Sequence, residues 1–235
     1  KVLVCHVLRY APAFLKIKEL LDNGTIGNLV SVESAEQVGY WHYVHSFVRG
    51  NWRCDTKTSP MIMQKCCHDL DLLQYYIGSK CESVYSVGGL THFTSINAPT
   101  GAAKRCENCK YIYLCPYSAE RLYVERWIAE GKNSDVWPYN VVCEDVPITE
   151  EKLRNAYQTS AYGKCVYHCD NNVVDHQNVF MQFANGVSAT LNMVAFTENM
   201  GRKMTFYGDK GEIKFDETEE MFKVCTFGKK AVAYR

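Results

Sequence analysis

Three cysteines in a polar stretch of the chain have the spacing of metal ligands. Cys106, Cys109 and Cys115 follow the pattern Cys-x2-Cys-x5-Cys. Two thiolates two residues apart can share one tetrahedral ion, and a third nearby almost completes a zinc shell. We expect a zinc ion at this site to be structural, since a closed all-cysteine shell leaves no open position for a substrate.

The fourth ligand of such a shell has several candidates, namely Cys67, Cys66, Cys54 and Cys143. An iron–sulfur cluster also takes thiolates, but this spacing fits no standard ferredoxin pattern. Three reduced cysteines in a loop are the simplest alternative. Five other cysteines lie in runs that resemble strands, and we expect them to be small buried apolar residues: Cys5, Cys81, Cys165, Cys169 and Cys225.

A second group of reactive side chains falls on one stripe of a predicted helix. Gln64, His68 and Asp71 are spaced at i, i+4 and i+7. Imidazole is the side chain that changes charge near neutral pH, so His68 could transfer a proton. The alternative is a partly buried histidine that hydrogen-bonds to Asp71 one turn further on.

An aromatic and basic segment, residues 40–53, precedes that helix. Aromatic faces stack on the C–H surfaces of sugars, and arginine or histidine bonds to hydroxyl groups, so the segment suits a polyhydroxylated ligand. The candidate ligand-binding residues are His42, His45, Arg49, Trp52 and Arg53. On spacing alone His42 and His45 could also bind a metal, and a packed loop without a ligand is the third possibility.

Helices are predicted in the first two thirds of the chain. The apolar run at 1–8 predicts a strand buried on both faces. A helix from Pro12 should end at Asn23-Gly24, and residues 28–38 alternate as a strand. A long helix from Ser59-Pro60 to Gly78 should carry the Gln64 stripe, another should cover 118–131, and Thr149 should cap a fourth.

Antiparallel strands are predicted in the last third. From Lys164 onward the pattern changes to period two, and Asn185-Gly186 predicts a tight hairpin. Asp209-Lys210-Gly211 marks a second turn between alternating runs. Helices followed by a meander predict an α+β domain: a large, mostly antiparallel sheet with helices packed on one face.

The composition of the 235 residues excludes several functions. Lys plus Arg equals Asp plus Glu, at 26 each, so no strong field favours nucleic acid or an anionic membrane. The apolar runs are too short to span a bilayer and the first residues do not resemble a signal peptide. We therefore expect a cytoplasmic protein with a small-molecule substrate.

Several short motifs occur in an order typical of one family. They are Arg9-Tyr10-Ala11-Pro12, the helix end at 23–27, His68-x-x-Asp71, and the turns at 185–186 and 208–211. This order resembles the C-terminal part of a Gfo/Idh/MocA-family NAD(P)-dependent oxidoreductase. The resemblance covers nearly the whole chain. The Gly-rich turn and the Glu-Lys-Pro motif that family members carry upstream do not occur in it.

The resemblance implies a two-part organisation. Residues 1–24 would be the last strand and linking helix of a truncated dinucleotide-binding domain. Residues 25–235 would be the substrate-binding and oligomerisation domain, similar to the C-terminal domain of glyceraldehyde-3-phosphate dehydrogenase. It also implies that NAD or NADP is bound mainly by residues outside this sequence, with Arg9 and Tyr10 contributing, and that the fragment alone is inactive.

The resemblance further implies a sugar, inositol or polyol dehydrogenase in which His68 is the base. Gln64 departs from the acidic residue of many members, and we expect Asp71 to orient the histidine or cap a neighbouring backbone group. Cys67 is the preferred fourth zinc ligand because its helix also carries the proposed active site. A homodimer or homotetramer would form through the sheet face.

Two other functions stay open at this point. One is a relative that uses NAD transiently in glycoside cleavage or epimerisation without net redox. The other is a non-catalytic sugar-binding or regulatory protein that kept the fold.

Overall fold

The computed structural model describes residues 1–2, 5–219 and 221–234. The chain divides into two compact units. The sheet unit contains Lys1–Gly39, Met61–Gly89 and His176–Arg235, and the loop unit contains Tyr40–Pro60 and Leu90–Asp175. Among the described residues, no helix is both long enough and apolar enough to cross a membrane.

The sheet unit is built on an eight-stranded sheet with the order β2-β3-β4-β1-β5-β6-β7-β8. Its strands are β1 (Leu29–Gln37), β2 (Cys81–Gly89), β3 (His176–Phe183), β4 (Ser188–Val194), β5 (Gly201–Gly208), β6 (Gly211–Asp216), β7 (Met221–Thr226) and β8 (Val232–Tyr234). All neighbours pair antiparallel except β1 and β4, which are parallel. This confirms the predicted α+β class with a mostly antiparallel sheet.

Both predicted hairpins are present. Asn185-Gly186 joins β3 to β4, and Gly186 has φ 85°, a backbone conformation that favours glycine. Asp209 and Lys210 join β5 to β6. In the central strand β1, Val32, Ser34 and Glu36 alternate onto the buried face. The sheet therefore directs one carboxylate, that of Glu36, into the protein interior.

Helix α1 (Pro12–Asp22) begins at the predicted proline and buries Phe14, Ile17 and Leu20. The long helix predicted after Ser59-Pro60 is wrong as one element, because the structure has α3 (Met61–Gln64) and α4 (Cys67–Ile77). Apolar spacing continues through the break, so the pattern could not reveal it. The break allows Lys65 Nζ to lie 3.0 Å from a carboxylate oxygen of Glu36.

The strand predicted at 1–8 is wrong at its end, since Val7–Tyr10 forms a short 3-10 helix and Val7 is exposed. A strand buried on both faces needs paired neighbours, and no strand of the described sheet pairs with this segment. Positions 3 and 4 of the prediction lie outside the described residues.

The loop unit consists of short helices and irregular segments around an aromatic core. Its longer elements are α2 (Tyr40–Tyr43), a π-helical segment Val44–Arg49, a π-helical segment Glu120–Glu125 that continues as α5 (Arg126–Ala129), α6 (Tyr139–Val142) and α7 (Glu150–Thr159). Thr149 caps α7 as predicted, because its Oγ1 accepts a hydrogen bond from Lys152 N at 3.2 Å. Cys165 lies outside the strands, so its predicted strand setting is wrong.

Candidate functional site

A buried ionic cluster in the sheet unit joins strands β1 and β5 to helix α4. Arg202 Nε donates to Asp69 Oδ1 at 2.9 Å, and its Nη2 lies 3.1 Å from Glu36 Oε2. Glu36 and Asp69 are each 1% exposed, so both carboxylates depend on protein partners. Glu217 adds a third carboxylate, 3.5 Å from Arg202 Nη1.

The cluster gives the carboxyl group of Glu36 an unusual pKa. Burial, followed by the charge of Asp69, raises the pKa of Glu36 from 4.5 to about 7, although Arg202 and Lys65 act in the opposite direction. The position of Glu36 explains this, since it faces inward from β1 next to another carboxylate. One carboxyl group of the cluster therefore changes protonation near neutral pH.

His68 lies on α4, one residue before the buried Asp69. Burial, followed by the positive charge of Arg202, lowers its pKa, and the ring of His6 packs edge-on against it with centroids 6.1 Å apart. The Nδ1 atom is buried and has no hydrogen-bond partner among the described residues. The imidazole is thus neutral at neutral pH and can accept a proton.

Asp71 is bound to Arg9 rather than to His68. Arg9 Nε and Nη2 donate to its two carboxylate oxygens at 2.7 and 2.5 Å, and His6 Nε2 lies 3.6 Å away. The guanidinium of Arg9 also lies over the ring of Tyr75, 4.9 Å from its centroid. The predicted hydrogen bond in which His68 donates to Asp71 is therefore absent from the described part of the chain, and Asp71 anchors the segment before α1.

Gln64 ends α3, whereas His68 and Asp71 lie on α4. The three residues consequently do not share the continuous helical stripe that their spacing predicts. Tyr10, predicted to contact the cofactor, is 68% exposed at the end of its short helix.

The predicted ligand-binding residues of the loop unit divide into buried and accessible groups. His45 stacks on Tyr162 with ring centroids 4.8 Å apart, and its Nδ1 lies 3.3 Å from Tyr123 Oη. Burial, followed by the charge of Arg49, lowers the pKa of His45 to about 4. His42 packs against Trp137, with centroids 4.8 Å apart. Both histidines are surrounded by aromatic rings.

Two residues of that group reach the surface. Trp52 is 50% exposed, and Arg53 forms an ion pair with Asp170 in which Nε donates to Oδ1 at 2.7 Å. Arg49, in contrast, is 1% exposed and donates to the backbone carbonyls of Lys164 and Tyr117, each at 2.8 Å. Trp52 is therefore accessible to a ligand, whereas the guanidinium of Arg53 already pairs with Asp170.

Three of the four predicted zinc ligands line one small cavity of the loop unit: Cys106, Cys109 and Cys115. Cys67 belongs to the sheet unit, and its role as a ligand stays a prediction. As their side chains are placed, the described residues contain no group of three or more His, Cys, Asp or Glu that could hold a metal ion.

Sequence reasoning missed the cluster of Glu36, Lys65, Asp69 and Arg202. One signal was available, because Glu36 occupies a position of β1 that alternation places on the buried face. A carboxylate at such a position needs a buried cation, and this requirement points to an arginine or lysine elsewhere in the sheet unit.

Comparisons with known proteins agree on one family. The family model described as "Oxidoreductase family, C-terminal alpha/beta domain" matches residues 18–230. YteT of Bacillus subtilis (strain 168), a provisionally assigned oxidoreductase, is 23% identical over 228 residues, which are 95% of this chain and 50% of that protein.

Solved structures show the same fold. Levoglucosan dehydrogenase in complex with NADH and levoglucosan is 15% identical, with a TM-score of 0.56 over 99% of this chain and 46% of that one. The super-repressor mutant of Gal80p from Saccharomyces cerevisiae is 14% identical, with a TM-score of 0.55 over 100% of this chain and 45% of that one. The chain spans about half the length of these proteins.

Proposed function

This chain belongs to the Gfo/Idh/MocA oxidoreductase family, as its C-terminal alpha/beta domain, and we propose that it is the substrate-binding half of a nicotinamide-dependent dehydrogenase. The proposed substrate is a sugar, inositol or related polyol. The observation that carries this proposal is His68: a neutral, partly buried imidazole beside a cationic guanidinium. The complex of levoglucosan dehydrogenase with NADH and a sugar derivative supports the choice of substrate class.

The proposed chemistry needs a base for the hydroxyl proton. Oxidising a carbinol releases that proton from oxygen, and a neutral imidazole with a lowered pKa can take it at neutral pH. Burial and Arg202 keep His68 in this neutral form.

When bound, a nicotinamide supplies the hydride acceptor. The exposed Tyr10 fits a contact with such a group, since most of its surface is accessible. Arg9 fits a positioning role better, because Asp71 and the ring of Tyr75 already engage its guanidinium. In this proposal Trp52 and Arg53 contact the sugar or polyol.

Assembly is part of the same proposal. On the edge strand β2 and its neighbour β3, the apolar side chains of Tyr85, Val87 and Phe180 share one face of the sheet and are each at least 50% exposed. Exposed apolar groups that adjoin one another mark interaction surfaces. We infer that this patch, named here the edge patch, joins copies of the protein into a homodimer or homotetramer.

A second candidate is a relative without net oxidation, or a regulatory protein. Gln64 favours it, since the family commonly has an acidic residue there and a neutral amide cannot exchange a proton. The fold of Gal80p shows that the architecture also occurs in a protein named as a repressor.

Product analysis with the full-length protein separates these functions. The protein is incubated with NAD or NADP and a panel of sugars, inositols and sugar glycosides. Net formation of reduced nicotinamide supports the dehydrogenase, and released sugar without reduced nicotinamide supports the non-redox relative. Binding of a sugar with neither product would contradict both and support a regulatory role.

A further inference from the structure

A cavity of about 20 Å³ in the loop unit is lined by four cysteines. Cys106, Cys109 and Cys115 come from the predicted metal-binding stretch, and the fourth is Cys165. All four are reduced. A cavity of this size has room for about one water-sized body.

A backbone bridge brings the fourth thiol to the other three. Arg105 and Lys164 pair as antiparallel partners, and Cys165 N donates to Lys104 O at 2.9 Å. This pairing makes Cys106 and Cys165 diagonal neighbours across the bridge although they are far apart in the sequence. The turn that follows Cys106, in which Cys109 N donates to Cys106 O at 3.0 Å, folds the second thiol back towards the first.

The cavity also contains a buried cation that has no counter-charge. Arg49 lines it, is 1% exposed, and forms no ion pair with a carboxylate anywhere in the described ranges. Its Nη1 atom is buried and has no hydrogen-bond partner within the described part of the chain. Burying a guanidinium without an anion costs free energy, so a negative charge in the cavity would stabilise Arg49 in its buried position.

Hydrogen bonds to sulfur indicate where that negative charge belongs. Cys106 Sγ accepts from Arg49 Nη2 at 3.4 Å and from Ala119 N at 3.4 Å. Thiolates, whether ionised or bound to metal, are better acceptors of such bonds than neutral thiols. A cation and a backbone N–H therefore already point at one of the four sulfurs.

We propose that Cys106, Cys109, Cys115 and Cys165 bind a single zinc ion and that Arg49 offsets part of the resulting negative charge. On binding, each thiol releases its proton to solvent and rotates about its Cα–Cβ bond until four sulfurs surround the ion. Four thiolates and one Zn²⁺ carry two negative charges, of which the guanidinium balances one. The ion is structural and fastens the segment around Cys109 to the segment around Cys165.

Zinc fits this cavity better than an iron–sulfur cluster does. The spacing Cys-x2-Cys-x5-Cys fits no standard ferredoxin pattern, and four thiolates complete the tetrahedral shell of a single zinc ion. In this proposal Cys165 is the fourth zinc ligand, a role for which the sequence favoured Cys67. The zinc site does not depend on the proposed dehydrogenase activity.

The test measures metal bound to the purified full-length protein. Elemental analysis should find one zinc per chain after dialysis without chelator. Stripped wild-type protein should take up one equivalent of added zinc, and cobalt in its place should give an intense sulfur-to-cobalt charge-transfer absorption. A protein that retains no metal and takes up none when stripped would overturn the proposal, as would iron with sulfide.

Variants identify the ligands. Cys165→Ser and Cys106→Ser should each lower zinc occupancy at least tenfold, while the control Cys225→Ser, in strand β7, should leave it unchanged. If Cys67→Ser loses zinc and Cys165→Ser retains it, the assignment of Cys165 as the fourth ligand is overturned. If Cys165→Ser does not fold, the cobalt spectrum of the wild type still tests the proposal. A spectrum that shows fewer than four coordinated sulfurs would contradict a four-cysteine shell.

Discussion

Replacing Glu36 with glutamine should stabilise the protein at alkaline pH, although it removes a buried ion pair. The carboxylate lies 3.1 Å from Arg202 and 3.0 Å from Lys65, contacts that ordinarily suggest a stabilising role. Burial and the neighbouring Asp69 nevertheless raise the pKa of Glu36 from 4.5 to about 7. The ionised form is therefore the less favourable one in the folded protein.

The size of the effect follows from that pKa. The difference between 4.5 and about 7 corresponds to about 3 kcal/mol at 1.36 kcal/mol per pKa unit. Because the folded-state pKa is raised, the folded protein binds more protons between these values. The contribution of Glu36 to stability is therefore fully present below pH 4.5 and is lost as pH rises through 7. Glutamine carries no charge at any pH, so it resembles the protonated form of Glu36 throughout.

Urea unfolding of the full-length protein at two pH values checks this reasoning. Glu36→Gln should raise the free energy of unfolding by about 1–3 kcal/mol at pH 8 and by less than about 1 kcal/mol at pH 5. The control is Glu33→Gln, the same substitution at an exposed position of the same strand, which should change it by less than about 0.5 kcal/mol. A destabilised Glu36→Gln protein with the same deficit at both pH values would refute the argument.

Three further predictions follow from the structure. Arg202→Met leaves Asp69 and Glu36 without their shared cation, and should lower the free energy of unfolding by about 3–5 kcal/mol at pH 8, with a smaller loss at pH 5, in the same urea assay. Thr149→Ala removes the side-chain cap of α7 and should cost about 1 kcal/mol, whereas no measurable loss would show that the cap contributes nothing. Tyr85→Glu puts a charge in the edge patch and should shift the protein towards monomers in light scattering after gel filtration. Phe227→Glu, at an exposed position outside that patch, should not, and an unchanged oligomer in Tyr85→Glu would remove the proposed interface.

The sheet could be predicted from sequence because its signals are local. Asn185-Gly186 determines a hairpin through its own backbone preferences, and the alternation of β1 reports which side chains face inward. The same holds for Pro12 and Thr149, which mark the beginnings of α1 and α7. In each case the residues that form the feature are close together in the chain.

The ionic cluster could not be predicted in the same way, because it depends on strand register. Glu36 and Arg202 are direct partners between β1 and β5, and this pairing exists only once the two strands are aligned. The break between α3 and α4 was also hidden, since the apolar spacing on both sides of Lys65 is consistent with one helix. The pairing of Asp71 with Arg9 likewise joins residues 62 positions apart.

The cysteine cavity could be predicted from the sequence only in part. The spacing of Cys106, Cys109 and Cys115 is visible in the sequence, and these three residues do line one cavity. The fourth cysteine of that cavity was hidden because the Arg105–Lys164 bridge, which brings Cys165 there, is a long-range contact. Composition cannot distinguish such a cysteine from the other candidates.

The most direct test of the proposed function compares kcat/KM of the wild type and His68→Asn in the full-length protein. The substrate is the sugar or polyol that gives net reduced nicotinamide. The account predicts a loss of about 10²–10⁴-fold for His68→Asn, with no change for the exposed control His168→Asn. It also predicts that the wild-type rate falls only below pH 6.5, because burial and Arg202 lower the pKa of His68. A His68→Asn protein that retains the wild-type kcat/KM would contradict the account.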